Sequence, residues 1–176
     1  VPPYAIADHI NYNGRPVFFP GTYSDTQDQG NGTYGYFPPF CDNYYFIMLA
    51  GFYIRQSGDR GILNSMYGGR RLTERLEKAF AGYQVDPETG LCRSEDTQYT
   101  VDWGFVDCVK KTGLLLMASL LRYSAAHMLE TLFADDLDKQ AYYRQEAEKI
   151  AGNILKIFYD ESTGWPVSYT HLTLPT

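Results

Sequence analysis

Two consecutive stretches in the second half of the chain decide the fold class. They are TGLLLMASLLRYSAAHMLETLF at 112–133 and LDKQAYYRQEAEKIAGNILKIFY at 137–159. The first stretch is apolar almost all round, which predicts a helix that neighbours cover on more than one side. The second stretch predicts an outer, half-exposed helix, because charged residues lie opposite an apolar stripe made of Tyr143, Ala147, Ile150, Ile154 and Phe158.

The same plan of helix, connection and helix occurs earlier in the chain. Asp42 or Asn43 can cap a helix that the sequence SGD at 57–59 ends, and its predicted buried stripe is Phe46, Leu49, Ala50 and Tyr53. A second helix is predicted from 62 to 83, with a break or kink at Gly68-Gly69. Its stripe is Leu72, Leu76, Ala79, Phe80 and Tyr83.

An acidic turn follows each pair of helices. The turns are DPETG at 86–90 and DESTG at 160–164, and 160 minus 86 places them 74 residues apart. The chain is therefore predicted to be all-α, with two helical hairpins at 42–166 that belong to a closed toroid or to an open helical stack.

The two ends of the chain differ from this helical middle. Residues 1–41 contain Pro, Gly, Asn and aromatic residues at short intervals, which predicts a long, irregular, loop-rich N-terminal segment. The last ten residues, VSYTHLTLPT at 167–176, are similar to one reading frame of a common transposase-type sequencing adaptor. We therefore expect a non-native tail at 167–176, and a natural protein that continues into the remainder of its domain.

Composition excludes several classes of protein. The 176 residues are 44% hydrophobic and 20% charged, which indicates a folded domain and not a disordered chain. A net charge of −6 argues against a nucleic-acid partner, which requires a basic surface. No uncharged run near the middle reaches the length of a bilayer, so membrane insertion is not expected. The spacing of Cys, His and carboxylates predicts no metal site, and no cofactor is expected.

The segment YTVDWGFVD at 99–107 carries the first candidate chemistry. It contains Asp102, Trp103 and Asp107, and Glu95 and Asp96 lie just upstream. Glycoside hydrolysis requires paired carboxylates, one as an acid and the other as a base or nucleophile. In the alternative interpretation, Asp107 caps the following helix and Asp102 holds a loop in place.

The segment YGYFPPFCDNYY at 34–45 carries the second set of candidate functional residues. Tyr36 and Phe37 stand close in sequence to Asp42 and Asn43, so aromatic rings could stack on a sugar while the short polar groups take its hydroxyls. The alternative is ordinary packing of a loop against helix ends. His127, in the predicted buried helix, is interpreted as a core histidine whose hydrogen bonds are satisfied.

Several of these segments resemble the six-hairpin glycosidases, and most of all the catalytic domains of α-L-rhamnosidases. The resemblance covers about residues 30–165 and rests on CDNYYFIMLAGFYIRQSGDRGIL, YTVDWGF and AYYRQEAEKIAGNILKIFYDESTGW. It implies an (α/α)6 toroid with substrate at a mouth formed by inter-hairpin loops, and Asp42 and Asp102–Trp103 match residues that line the sugar pocket. The Arg-Asp-Glu-Arg type segment of the rhamnosidase general acid is not present, and VDW replaces GDW.

The sequence thus leads to two functional hypotheses. The first is a fragment of an inverting glycoside hydrolase that acts on a carbohydrate and is inactive alone; its expected catalytic residues are Asp102 and Asp107, and its expected sugar contacts are Tyr36, Phe37, Asp42, Asn43, Glu95, Asp96 and Trp103. The alternative is a non-enzymatic helical-repeat scaffold that binds a protein partner. A role in polysaccharide degradation would favour a periplasmic or extracellular location, although VPPYAIADHI at 1–10 has no feature of a signal peptide.

Overall fold

A computed structural model describes residues 6, 9–10, 12–14, 16–17, 40–82, 84–95 and 111–170. Within these ranges the protein is all-α, as predicted, and its strands are two residues long. The elements in chain order are β1 (His9–Ile10), β2 (Pro16–Val17), α1 (Phe40–Ser57), a 3-10 helix (Arg60–Asn64), β3 (Met66–Tyr67), β4 (Arg70–Arg71), α2 (Leu72–Ala81), β5 (Arg93–Ser94), β6 (Gly113–Leu114), α3 (Leu116–Leu132), α4 (Leu137–Phe158), β7 (Tyr159–Asp160) and β8 (Trp165–Pro166). The strands pair antiparallel in four separate ribbons, β1 with β2, β3 with β4, β5 with β6 and β7 with β8.

The helices form two layers around one principal core. Helix α1 packs beside α3, while α2 packs on α1 and α4 packs on α3. Tyr143 of α4 lies between two rings, with Phe80 edge-on at 5.3 Å and Phe133 stacked at 5.6 Å between centroids. A smaller cluster of Leu91, Ile150 and Phe158 extends this core along α4. No helix among the described residues combines the length and apolarity that crossing a bilayer requires.

The predicted helix at 62–83 is divided into three parts. Gly68 and Gly69 both have positive φ, of 55° and 76°, and they form the turn of the β3–β4 hairpin. Two successive residues with positive φ match the right-handed twist of a tight hairpin, and glycine adopts that conformation without strain. The predicted break is therefore confirmed, and α2 begins after it with the predicted residues Leu72, Leu76, Ala79 and Phe80 buried.

Helix α1 buries a different face from the predicted one. Leu49 is 65% exposed and Tyr53 is 44% exposed, whereas Tyr44, Ile47 and Ile54 are buried. The prediction was wrong because α1 is apolar on both sides, so its periodicity does not identify the face that meets the core. The glycine at position 51 marks that face, since a Cβ there would collide with the side chain of Met128.

Two further predictions about the inner helices are corrected. Helix α1 begins at Phe40, so Asp42 and Asn43 lie within its first turn and do not cap it. Helix α3 is not buried all round, because Leu120 is 42% exposed. His127 lies on this exposed side, with Nδ1 3.1 Å from a carboxylate oxygen of Glu130, and is not a core histidine.

The two acidic turns are closed by the same backbone hydrogen bond, from Gly90 N to Asp86 O at 2.8 Å and from Gly164 N to Asp160 O at 2.9 Å. The Asp86 carboxylate accepts hydrogen bonds from Thr89 N at 2.8 Å and Thr89 Oγ1 at 2.7 Å. The Asp160 carboxylate accepts bonds from the preceding position of its turn, from Ser162 N at 2.9 Å and Ser162 Oγ at 2.7 Å, and a longer bond from Thr163 Oγ1 at 3.2 Å. These bonds lower the pKa of both Asp86 and Asp160, since they stabilise the charged form. Gly90 and Gly164 close the turns with φ of 73° and 72°.

Residues 167–170 follow the second turn and lie against the start of α3. Val167 N donates to Phe158 O at 2.8 Å, and Leu116 N donates to Ser168 O at 3.0 Å. Both bonds use backbone atoms, which many different sequences could supply. The non-native origin of residues 167–176 therefore stays a prediction, and residues 171–176 lie outside the described ranges.

Replacing Gly90 tests how much a glycine with positive φ contributes to the stability of the turn at 86–90. Gly90→Ala should lower the free energy of unfolding by about 1–2 kcal/mol, because alanine is strained at φ of 73° and its Cβ would meet Ile150 at 3.3 Å. Gly152→Ala is the matched control on α4, where the new Cβ meets nothing within 4 Å. It should raise the stability by about 0.5–1 kcal/mol through helix propensity. Urea titrations measure both changes, and equal effects of the two variants would contradict the assignment.

Candidate functional site

The candidate site lies at the end of the bundle where α1 and α3 both begin. Cys92 joins these two starts: its Sγ lies 3.2 Å from the Tyr44 hydroxyl, and its carbonyl accepts from Leu115 N at 2.9 Å. Strand β5 follows Cys92 and pairs with β6, so residues 95 and 111 are held close to this end. The segment 96–110 connects them.

Six of the predicted site residues lie outside the described ranges. Four belong to the segment 96–110, and two belong to the N-terminal segment: Asp96, Asp102, Trp103, Asp107, Tyr36 and Phe37. Their predicted roles stay predictions. The structure describes residues 95 and 111, which flank the segment 96–110, and the remaining three site residues, which are Asp42, Asn43 and Glu95.

Asp42 lies at the edge of an apolar, aromatic cavity. It is half-buried in the first turn of α1, where the helix dipole favours a negative charge. The cavity has a volume of about 440 Å³ and is lined by Ile6, Asp42, Tyr45, Phe46, Met48, Leu49 and Phe52. Sequence reasoning assigned the aromatic wall to Tyr36 and Phe37 and missed Tyr45 and Phe52. The signal was present, since 42, 45, 49 and 52 have the spacing of one helix face.

Asn43 points in a different direction and holds the backbone. Its Nδ2 donates to Ala79 O at 2.9 Å, and its Oδ1 accepts from Ile6 N at 3.2 Å. The residue is 1% exposed, so both ends of the amide serve to join α1, α2 and the N-terminal segment. The described geometry does not support Asn43 as a sugar ligand. It follows Asp42 in the helix and is therefore turned by about 100°, away from the cavity.

Glu95 lies at the base of the segment 96–110 and forms an ion pair with Arg93. The side chains are 43% and 48% exposed, so solvent screens their attraction and the pair contributes little to stability. The Glu95 carboxylate is accessible to solvent near the end of the bundle where α1 and α3 begin. Its position is compatible with the predicted contact to a sugar hydroxyl, and no described contact tests that role.

A buried polar cluster around Arg122 holds together the helices that carry the candidate site. The guanidinium is 4% exposed, donates from Nη1 to Phe80 O at 2.8 Å and donates from Nη2 to Glu146 Oε2 at 2.8 Å. It also lies 3.9 Å from the centroid of the Phe80 ring. Buried charges are stable when they are paired and hydrogen-bonded in this way. Sequence reasoning missed the cluster because a single Arg on an apolar helix resembles an exposed polar edge.

Cys92 and Tyr44 belong to the same cluster. Ser119 Oγ accepts from Cys92 N at 3.0 Å and donates to Leu115 O at 2.6 Å. Burial, with a further contribution from Cys92, raises the pKa of the Tyr44 hydroxyl well above its usual value. Tyr44 and Cys92 are both fully buried, so the cluster holds the base of the segment 96–110 and does not itself face a ligand.

The described residues offer no candidate metal site, and comparisons of the sequence with known proteins identify no family. No group of three or more His, Cys, Asp and Glu residues in the described ranges could hold a metal ion. A comparison with protein-family models finds none that matches, and a comparison with curated proteins finds no match either. The likeness to six-hairpin glycosidases therefore stays a prediction from sequence motifs.

The raised pKa of Tyr44 predicts loss of stability in alkali. Unfolded tyrosine titrates near pH 10, whereas buried Tyr44 keeps its proton to higher pH. Stability is therefore complete below about pH 10 and falls as pH rises further, by up to about 1.4 kcal/mol per pH unit for each such tyrosine. Tyr44→Phe should reduce this slope between about pH 10 and pH 11, measured by urea unfolding.

Tyr12→Phe is the matched control for this experiment, because the Tyr12 side chain is fully exposed. It should leave the alkaline slope unchanged. Tyr143, whose pKa burial also raises, should maintain part of the slope in Tyr44→Phe. An identical slope in Tyr44→Phe and in the unaltered chain would contradict the assignment of a buried, proton-retaining Tyr44.

Proposed function

We propose that this chain is part of a glycoside hydrolase of the six-hairpin class that acts on a carbohydrate through two carboxylates. One observation carries the proposal. Asp42 borders an aromatic cavity at the first turns of α1. The pairing of β5 with β6 holds residues 95 and 111, which flank the segment that contains Asp102, Trp103 and Asp107, near the start of α3. Aromatic rings beside carboxylates form a surface suited to sugars, since rings cover the apolar face of a pyranose and carboxylates accept from its hydroxyls.

The proposed mechanism is inverting hydrolysis with Asp102 and Asp107 as the catalytic pair. One carboxylic acid protonates the leaving oxygen, and the other carboxylate removes a proton from the attacking water on the opposite face of the sugar. Such a pair stands about 6.5–9.5 Å apart, which leaves room for the water. In this proposal Trp103 stacks on the sugar, while Asp42, Glu95 and Asp96 accept from hydroxyl groups.

The architecture of the described part supports a larger assembly of hairpins. Two hairpins with matching turns place their inner helices side by side, as successive hairpins of an (α/α)6 toroid would be. Two hairpins would be about a third of that toroid. We therefore propose that the rest of the sugar pocket comes from further hairpins, and that the 176-residue chain binds sugar weakly without hydrolysing it.

Tryptophan fluorescence tests the sugar-binding part of the proposal. Trp165→Phe leaves Trp103 as the single tryptophan of the chain. Titration with methyl α-L-rhamnoside should change its emission saturably in the millimolar range, about 3–4 kcal/mol of binding free energy. Asp102→Asn in the same background should weaken binding several-fold. Sorbitol, an open-chain polyol, is the control, and an equal response to sorbitol would contradict a sugar site at Trp103.

Hydrolysis assays test the incompleteness of the site. The purified 176-residue chain should release no p-nitrophenol from a panel of aryl glycosides above the level of Asp102→Asn, because an inverting reaction requires both carboxylates in a closed pocket. Measurable hydrolysis that depends on Asp102 would show that the two hairpins already hold a complete active site, and would contradict the need for further hairpins.

A second candidate function is a helical-repeat scaffold that binds a protein partner. The observation in its favour is the exposed apolar side of α1, where Leu49 and Phe52 are 65% and 44% exposed. The tryptophan titration separates the two candidates. A scaffold predicts no saturable sugar response at Trp103, whereas the glycosidase proposal requires one.

A further inference from the structure

The groove between the second halves of α1 and α3 contains a cavity that the candidate site does not use. Its volume is about 420 Å³, which lies within the range of small-molecule sites. The residues that line it are Gly51, Ile54, Arg55, Arg60, Ser124, His127, Met128, Thr131 and Leu132. Among the described residues, none lines both this groove and the cavity beside Asp42. Since Arg55 follows Asp42 by 55 minus 42, or 13, residues on one helix, the two sites lie about 20 Å apart along α1.

The groove combines an apolar floor with a basic rim. Ile54 and Leu132 are 7% and 4% exposed and belong to the floor. The ionisable side chains that line the groove in the described part of the chain are all basic and exposed, and they are Arg55, Arg60 and His127. In a chain of net charge −6, three basic side chains around one cavity create a local positive potential that attracts anions.

Two arginine side chains provide the donors for an anion. The Cζ atom of Arg55 lies 5.0 Å from the centroid of the Phe52 ring, and within the described ranges Arg55 forms no ion pair. Arg60 is held in place by Leu132 O, to which its Nη2 donates at 2.9 Å, and it also pairs with the exposed Asp135. Because solvent screens an exposed pair, an incoming carboxylate can replace Asp135 at little cost in free energy.

Two other carboxylates stand beside groove residues, and both have partners of their own. Glu130 accepts from Arg144 Nε at 2.7 Å and lies 3.1 Å from His127 Nδ1. Asp59 accepts from the Tyr53 hydroxyl at 3.2 Å. The guanidinium charge at position 55 is therefore left without a carboxylate partner among the described residues.

The internal repeat indicates that the helical architecture does not require a basic residue at position 55. A shift of 75 residues, as from Asn43 to Ala118, places buried positions of α1 on buried positions of α3. The matched pairs, all buried, are Asn43 and Ala118, Tyr44 and Ser119, Ile47 and Arg122, Gly51 and Ala126, and Ile54 and Leu129. Under this shift Arg55 corresponds to the acidic Glu130. The same place in the hairpin thus accepts either sign of charge, so the positive charge at 55 is a property of the groove.

We propose that this groove binds a small monocarboxylate with an apolar body. The apolar body covers the floor at Ile54 and Leu132, where its removal from water is favourable. The carboxylate accepts hydrogen bonds from Arg55 and Arg60, because the planar guanidinium matches the geometry of a carboxylate. A doubly charged phosphate is less suitable, since an apolar floor cannot replace its hydration. This proposal does not rest on the proposed enzymatic function.

Isothermal titration calorimetry of the 176-residue chain with octanoate tests the proposal. Octanoate should bind saturably with a dissociation constant of about 0.1–1 mM. Acetate lacks the apolar body and octyltrimethylammonium reverses the charge, so each should bind at least about tenfold more weakly. Inorganic phosphate should not compete with octanoate. An absence of saturable octanoate binding, or equal binding of any of these three comparison ligands, would overturn the proposal.

Three variants establish where octanoate binds. Arg55→Gln should weaken binding about five- to tenfold, because it removes charge-assisted hydrogen bonds. Arg71→Gln is the matched control, since Arg71 is exposed on β4 outside the groove, and it should leave the affinity unchanged. Leu49→Gln alters the cavity beside Asp42 and should also leave the affinity unchanged. Far-UV circular dichroism establishes that each variant folds.

The comparison of these variants decides the outcome. Octanoate binding that survives Arg55→Gln would assign Arg55 to the helix dipole alone and would overturn the proposal. Binding that Arg71→Gln weakens as much as Arg55→Gln would show attraction by overall charge, and binding lost in Leu49→Gln would place octanoate in the other cavity. Either result would also overturn it.

Discussion

The buried guanidinium of Arg122 is the interaction on which the rest of the described structure depends. It lies on α3, donates to the end of α2 at Phe80 O, pairs with Glu146 of α4 and interacts with the Tyr44 hydroxyl of α1. One side chain thus joins the four helices of the described ranges. A buried cation is tolerated only where its partners are correctly placed, because the free energy of desolvation otherwise exceeds the electrostatic gain. The Arg122 cluster therefore restricts the relative positions of the helices more than apolar packing alone would.

The candidate site depends on this cluster through Cys92. Tyr44 and Ser119 hold the side chain and the backbone of Cys92, and β5 continues from it towards the segment 96–110. The turn at 86–90 reinforces the same end, since Asn153 donates to Thr89 O at 3.2 Å. Binding sites usually combine a fixed base with loops, because the base positions the ligand and the loops determine specificity.

Sequence patterns predicted the parts of the fold in which polarity differs between the two sides of a helix. The stripes of α2 and α4 were correct because charged residues mark their solvent sides, and both acidic turns were correct because Asp, Thr and Gly each have a defined role in them. The orientation of α1 was not predictable in this way, since both of its sides are apolar. Which side is buried depends on the close approach of Met128 to Gly51, a long-range contact without a local signal.

The candidate site was predictable to a similar, partial extent. The acidic and aromatic character of the end at Asp42 could be predicted from composition, and the structure adds Tyr45 and Phe52 to that wall. The buried role of Asn43 could not be predicted, because an amide at a helix start has equal reason to face solvent or backbone. Arg122 and Cys92 escaped prediction for the same reason: their partners are distant in sequence, and only the packed helices bring them together.

The two hairpins use nearly the same length of chain in different ways. The first interposes a 3-10 turn and the β3–β4 hairpin before an outer helix of 10 residues, whereas the second connects almost directly to an outer helix of 22 residues. Inner helices correspond at a shift of 75 residues and acidic turns at 74, so the difference in length is a single residue. In each hairpin the inner helix and the acidic turn are thus fixed in their spacing, while the chain between them is free to vary. The tip at Gly68–Gly69 is consequently the place where this architecture can accept an inserted peptide or a new loop without displacing the inner helices.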